Sequence, residues 1–270
     1  MSERILYHRF PLAGIDAMTA STARSYPRHT HDQYGIGVLD TGGHASSSGR
    51  GQVEAGPGSL IFVNPGEVHD GRAIHGQPRS WRMLYVDPEL LGNVLDDIHD
   101  GAHISLAFAA PVFKDERLRR LFDDIFTHVP AGGSSNAMAC ETALLRLAAG
   151  MQANAAGGRM ASPGPVASIR QVRDRIDDDP AAPLMLASLA DEAGLSRYQL
   201  LRGFARELGL PPHAYILQRR VALARRLIRN GHALAEAAAI AGFFDQSHLT
   251  RCFTRQFGVG KDRERVGDVE

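Results

Sequence analysis

Two stretches of this chain set chemically matched side chains at one spacing. Ser196 to Gly209 recurs 49 positions later as Asp245 to Gly258, so that Leu200 matches Leu249, Arg202 matches Arg251, Phe204 matches Phe253 and Arg206 matches Arg255. In each copy the Leu and Phe positions form the apolar stripe of a helix. The opposite face carries Arg197, Tyr198, Arg202 and Arg206 in the first copy, and Gln246, Ser247, His248, Thr250, Arg251 and Arg255 in the second. Arginine bonds guanine through two parallel donors, and glutamine bonds adenine in a comparable way. A mere charge stripe would carry little besides cations, so the varied polar faces point to reading of bases.

The flanking residues are those needed to hold such helices. Leu186, Leu189, Ala190 and Ala193 make a short apolar stripe that Gly194 ends, and Ser196 with Gln199 forms a capping box for the next helix. In the second copy Leu234, Ala237, Ala238 and Ala241 lead to Gly242, and Asp245 caps. Each copy therefore predicts a helix-turn-helix. Pro211 and Pro212 open a helix between them that Asn230-Gly231 ends, a rigid spacer of roughly 25 Å. From Arg197 to Arg255 ten arginines stand against Glu207, Glu236 and Asp245, a local surplus of seven within a chain of net charge zero. Local basicity of this kind suits phosphate contact, although Arg219, Arg220, Arg225 and Arg226 on the spacer read equally well as partners for acids.

The stretch Leu186 to Gly258, with LADEAGLSRYQLLRGFARELGLPPHAYI, RVALARRLI and AEAAAIAGFFDQSHLTRCFTRQFG, resembles the DNA-binding domain of the AraC/XylS family of bacterial transcription regulators. The resemblance implies a double-stranded promoter or operator as partner, a small-molecule effector, a homodimer and contact with RNA polymerase. It places Tyr198 and Arg202 at base-contacting positions, with Leu201 at a further position that offers only apolar contact. After Gly258 the chain departs from the family, reading Val-Gly-Lys-Asp-Arg-Glu-Arg where a Ser/Thr-Pro step is usual.

The first 160 residues have another character. Short apolar runs, Tyr34 to Leu39 and Ser59 to Val63 among them, alternate with Gly-rich turns, the pattern of a small antiparallel barrel or jelly roll. Two amphipathic helices are expected to follow. Leu118, Leu121, Phe122, Ile125 and Phe126 lie on the first, and Met138, Ala143, Leu144, Leu147 and Met151 on the second. Their stripes predict subunit pairing tested at Leu121, Leu144 and Leu147. The fold class is thus two-domain α+β: a barrel with two following helices, then an all-α domain of two helix-turn-helix units joined by a long helix. Residues 1–155 are assigned to sensing and dimerisation, 156–165 to a Gly- and Pro-containing linker, and 166–270 to DNA binding.

PRHTHDQYGIGVL and GPGSLIFVNPGEVHDG, spanning Pro27 to Gly71, resemble the two motifs of cupin sensing domains. In metal-dependent cupins the positions of His29, His31 and His69 would hold an ion together with a carboxylate that follows the second histidine. Here that place falls on Tyr34 and Gly35, so no metal and no cofactor are assigned. His29 and His69 also read as residues that order a strand entry and bond backbone at a turn. The resemblance makes His29, His31, Tyr34, His69 and Trp81 the candidate lining of an effector pocket.

Composition bounds the alternatives. At 270 residues and 44% hydrophobic, two domains with real cores fit. The start shows no signal sequence, no run is long enough to span a membrane, and the two cysteines lack partner spacing, which together predict a reducing cytoplasm. Asp177-Asp178-Asp179 reads as a solvated helix end. No phosphate loop, nucleophile elbow or HExxH spacing occurs, so no catalytic residue is named. Two rivals to an effector-responsive regulator remain: a cupin metalloenzyme with an accessory DNA-binding domain, and an architectural DNA protein bound by charge alone.

Overall fold

The structure, a computed structural model, describes residues 3–8, 10–98, 106–128, 137–155 and 167–257. The predicted linker at 156–165 and the atypical tail after Gly258 lie outside the described residues.

The N-terminal part is built from ten strands: β1 (Arg4–His8), β2 (Ile15–Thr22), β3 (Tyr26–His29), β4 (Tyr34–Thr41), β5 (His44–Ser48), β6 (Gly51–Ala55), β7 (Leu60–Val63), β8 (His69–Ala73), β9 (Arg79–Val86) and β10 (Val112–Phe113). One sheet has the order β1-β2-β9-β4-β7-β10 and the other β3-β8-β5-β6. The larger sheet is covered on both faces, which is why β7 reads Leu-Ile-Phe-Val with no polar residue between. Its outer face, with Ile36, Val38, Phe62 and Leu84, packs against three helices, α1 (Pro88–Ile98), α2 (Glu116–Thr127) and α3 (Ala137–Ala155). Its inner face, with Met18, Leu39, Ile61, Trp81 and Met83, lies within the barrel.

The two expected helices are α2 and α3, and α1 precedes them. Their stripes are not free for a partner. Leu144 and Leu147 are buried and Leu121 is half-buried, all in the core that covers the sheet within one chain. A sheet with two apolar faces needs that cover, and the helices supply it.

The C-terminal part contains α4 (Ala167–Asp178), α5 (Leu186–Glu192), α6 (Arg197–Leu208), α7 (Pro212–Arg229), α8 (Leu234–Ile240) and α9 (Gln246–Phe257). Two separate cores divide it. Ile169, Val172, Ile176, Leu189, Leu200 and Phe204 form the first, and Val221, Ala238, Phe243, Leu249 and Phe253 the second. Both take residues from α7, Tyr215 at its start and Val221 and Ala224 further along. The capping box at Ser196 is present, with Gln199 N–H donating to Ser196 Oγ at 3.2 Å and Ser196 N–H to Gln199 Oε1 at 2.8 Å. Gly242 turns α8 into α9 at φ +76°, and a β-carbon there would sit 2.8 Å from the Ala181 carbonyl oxygen. Only glycine meets both demands.

Asp177 is not the solvated helix end its run of acids suggested. It accepts from the Tyr215 hydroxyl at 2.9 Å and pairs with Arg219 at 2.8 Å. Burial raises its pKa above the ordinary carboxylate value.

Candidate effector cavity and DNA-reading faces

A cavity of about 90 Å³ opens between the two sheets. His29 leaves the end of β3, His31 follows in the turn before β4, and His69 begins β8, so the strand pairing His29↔His69 brings the three imidazoles together. Their ring centres are 4.4 to 5.3 Å apart. Trp81 lines the same cavity from β9. Two positions facing it on β4 are glycines. A β-carbon on Gly35 would meet Met83 Cε at 3.1 Å and Val63 Cβ at 3.1 Å, and one on Gly37 would strike the Met83 sulfur.

Tyr34, predicted beside these residues, is not among them. Strand alternation turns it to the opposite face of β4 from Gly35, where its hydroxyl donates to the Leu106 carbonyl at 2.7 Å and its ring meets Phe108. Sequence reasoning missed His44, Tyr26 and Tyr85, which also line the cavity. A strict count of alternate positions along β4 would have excluded Tyr34. Nothing local marked the wall contributed by Gln256 and Phe257, at the end of α9.

Burial holds the imidazoles neutral. It lowers His29 to about 3, helped by the neighbouring His69, and it lowers His69 to about 4. His31 falls well below its ordinary value through burial, with His29, His69 and Arg225 adding to the effect. Burial likewise lowers His44 to about 4, reinforced by Arg79, whose Nε donates to His44 Nδ1 at 3.0 Å. No arginine or lysine is among the residues lining the cavity. Its polar reach therefore consists of neutral imidazoles, hydroxyls, the Trp81 indole and the Gln256 amide plus Glu67 and Asp70, within an aromatic and aliphatic wall.

Phe257 and Gln256 reach the cavity because α7 and α9 lie on the barrel. Asp16 on β2 pairs with Arg225 at 3.4 Å and with Arg229; Asp32 pairs with Arg226 at 3.4 Å and with Arg219. Thr30 N–H donates to Gln218 Oε1 at 2.8 Å, and Gln218 Nε2 returns a bond to the Arg28 carbonyl at 3.1 Å. Gln256 Nε2 donates to the Thr30 carbonyl at 3.3 Å. The Arg225 guanidinium stacks 4.8 Å from the Phe257 ring centre, and that ring lies 6.4 Å from His31. Arg220 is occupied differently, donating to the carbonyls of Pro180, Gly242 and Ala182 at 2.7 to 2.9 Å. The spacer arginines thus pair with acids and carbonyls instead of lying free for phosphate.

Further exposed charge lies on α6 and α9, while the exposed Arg226 and Arg229 of α7 are paired with Asp32 and Asp16. Arg197, Tyr198, Arg202 and Arg206 are exposed on α6, with Arg202 stacked 5.6 Å over Tyr198. On α9 Gln246, Ser247, Arg251 and Arg255 are exposed, while His248 and Thr250 are half-buried. Asp245 caps this helix by accepting from His248 N–H at 2.6 Å. Arg255 also borders the cleft between α9 and the barrel.

A cavity in a barrel followed by two helix-turn-helix units points to a class of ligand-sensing DNA-binding regulator. The family models agree: residues 12–148 match the AraC-like ligand binding domain and residues 189–260 a helix-turn-helix domain. The chain belongs to the AraC family of transcription regulators. An uncharacterized HTH-type transcriptional regulator of Bacillus subtilis, YbfI, is 26% identical over 228 residues, covering 84% of this chain and 82% of its own. The multiple antibiotic resistance protein MarA of Escherichia coli is 29% identical over 104 residues, 38% of this chain and 82% of its own. Among solved structures, ToxT of Vibrio cholerae superposes with a TM-score of 0.60 at 10% identity, covering 96% of this chain and all of that one. That likeness shows a shared fold. Among the described residues, no helix is long and apolar enough to cross a membrane.

The acid–arginine clasp gives a direct expectation. Each half-screened pair is worth about 1 kcal/mol, so Asp16→Asn with Asp32→Asn should shift the balance between docked and separated domains at least about tenfold. Small-angle scattering should then show a larger radius, and proteolysis between the domains should be faster. A double variant that scatters and digests like the parent would remove the clasp from the account.

Proposed function

We propose that this regulator reads operator bases with α6 and α9 and responds to a small molecule held in the barrel cavity. What carries the first part is the division of the arginines: those of α7 are paired with barrel acids or with backbone carbonyls, whereas α6 and α9 carry exposed arginines beside Tyr198 and Gln246. Binding by charge alone would not need that polar variety. What supports the second part is the cavity wall, to which α9 itself contributes Gln256 and Phe257. A molecule that touches both domains favours one docking geometry over another, and only such differential contact shifts an equilibrium. We place the chain in the cytoplasm, with RNA polymerase as its partner at the promoter, and assign it no catalytic activity.

Selection of bound sequences from random DNA tests the reading. Arg202→Ala and Arg251→Ala should each cost about 1 to 3 kcal/mol and relax one base position of the selected site. Arg226→Ala, whose side chain is turned to Asp32, should leave the selected motif as it is. If neither Arg202→Ala nor Arg251→Ala changes motif or affinity, the assignment of these helices to base reading fails.

The ligand is expected to be compact and mainly apolar, given the wall of tyrosines, methionines, Val63 and Trp81. ToxT has been solved with an unsaturated fatty acid bound, which fits a fold that admits apolar chains. Trp81 is the only tryptophan of the chain, so its emission reports occupancy. Compounds that raise the melting temperature should shift that emission, and Val63→Phe, which narrows the space, should abolish both effects while DNA binding persists. Hits that leave Trp81 unaffected, or that survive Val63→Phe, would place the ligand elsewhere.

A homodimer belongs to the same proposal, formed through a surface other than Leu144 and Leu147. Sedimentation of the full chain at micromolar concentration should give a dimer; a clean monomer would overturn this.

A further inference from the structure

Inward-facing residues alternate along β9, and Arg79 opens the row that continues with Trp81, Met83 and Tyr85 in the cavity wall. Arg79 is only 1% exposed, yet its partners are uncharged. Its Nε donates to His44 Nδ1 at 3.0 Å, and its Nη1 to the carbonyls of Arg24 at 3.0 Å and Thr22 at 3.5 Å. Its Nη2 is buried with no partner among the described residues. A guanidinium stays charged in any protein environment, and a charge withdrawn from water is normally paired. The Trp81 ring, 4.8 Å from the guanidinium carbon, covers this cation without neutralising it. The same contact decides what His44 offers. Arginine only donates, so His44 Nδ1 is the acceptor and the ring proton is on Nε2. That N–H belongs to a residue of the cavity wall. Beside it Gly71 leaves a hollow: a β-carbon there would lie 3.1 Å from His44 Cε1, 3.7 Å from His44 Nε2 and 3.9 Å from Arg79 Nη2. The Gly71 backbone is not left-handed, so what its missing side chain provides is room.

We propose that this hollow anchors the effector by its carboxylate: one oxygen accepts from His44 Nε2–H, and the Arg79 guanidinium behind that ring supplies the countercharge. The assignment rests on the effector reading and deepens it, naming the ligand class as an organic monocarboxylate with an apolar body. His44 is the contacting group. Arg79 is a positioning residue, which fixes the tautomer of His44, polarises its N–H and leaves a second donor at the rim of the hollow. A phosphate would need more donors than these two groups provide, whereas a carboxylate is satisfied by few. The acids of the cavity wall are already engaged: Glu67 is held by Arg50 and Asn64, and Asp70 accepts from Ser47 N–H at 2.8 Å. A charge-assisted hydrogen bond is roughly twice as strong as a neutral one, and the low dielectric of a buried site magnifies the difference. An amide of the same shape keeps the apolar contacts along Trp81 and Met83 and forfeits this one.

The test uses the full chain and matched probes: butanoate, hexanoate and phenylacetate, each against its primary amide. Affinity is read by calorimetry, because Arg79 stacks on Trp81 and its substitution would alter that emission directly. At least one acid should bind about tenfold or more tighter than its amide. His44→Phe should remove that preference. Arg79→Gln should bring the ratio close to one while the affinity for the amide is kept, and Arg79→Lys, which retains the charge, should restore part of it. A merely structural Arg79 would weaken acid and amide alike. Circular dichroism checks folding; if Arg79→Gln does not fold, Gly71→Ala, which fills the hollow, takes its place and should weaken the acid more than the amide. The proposal is overturned if the amides bind as well as the acids, if no acid binds at about 10 mM, or if the preference survives any of these substitutions other than Arg79→Lys. The wider compound screen with Val63→Phe reads the effector assignment separately. Neutral compounds that bind the parent and fail on Val63→Phe would leave the cavity as the effector site even where the acids show no preference.

Discussion

Asp16 and Asp32 determine where the rest of the molecule lies. A carboxylate largely removed from water is costly unless a cation meets it with good geometry. Asp16, with its side chain 13% exposed, receives Arg225 and Arg229; Asp32 receives Arg219 and Arg226. All four cations stand on one helix. The spacer between the reading helices is therefore fastened along the barrel, and the end of α9 is carried to the cavity mouth. Gln218, Thr30 and Gln256 add neutral hydrogen bonds that set the register of the contact. Removing either acid would leave paired cations facing each other, so the arrangement is self-consistent only as a whole.

From this docking follows the route by which a bound molecule is felt. The cavity has no wall at Phe257 unless α9 is in place, so its shape belongs to the docked state. Any ligand that fits it with Phe257 present strengthens docking, and any ligand that needs that space weakens it. The coupling is reciprocal: DNA that prefers one placement of α9 alters ligand affinity by the same factor. No long relay is needed, since one ring stands both beside His31 and in the core of the second helix-turn-helix unit.

How much of this was legible in the sequence depended on the range of the interaction. The helix-turn-helix units could be read because their signals are local: Ser196 and Gln199 cap within one turn, and Gly194, Gly209 and Gly242 sit at the left-handed positions that end helices. The histidines could be found because their two motifs resemble a known pattern, although Tyr34 was drawn in with them by proximity in sequence when strand alternation sends it away. The stripes of α2 and α3 looked like a dimer surface because periodicity shows that a face is buried and not what buries it. Least visible was the clasp. Asp16 and Arg229 lie on opposite ends of the chain, and no pattern of spacing connects them, so the surplus of arginines between the two copies was open to two readings. Once α7 is placed on the barrel the ambiguity goes.

That placement also limits how regulation can work. The two reading units have separate cores, and α7 joins both, so their spacing on DNA is the spacing that α7 imposes. The same helix is the one the barrel grips. An effector that tightens or loosens the grip therefore acts on the element that sets the spacing of the two helix-turn-helix units, without having to disturb either core. Released from Asp16 and Asp32, the arginines of α7 would add exposed positive charge near the reading helices and strengthen attraction to any duplex, whatever its sequence. Docking consequently restrains non-specific affinity as well as geometry. If α6 and α9 read bases as proposed, discrimination between sites in the docked state rests on the few side chains left exposed on them.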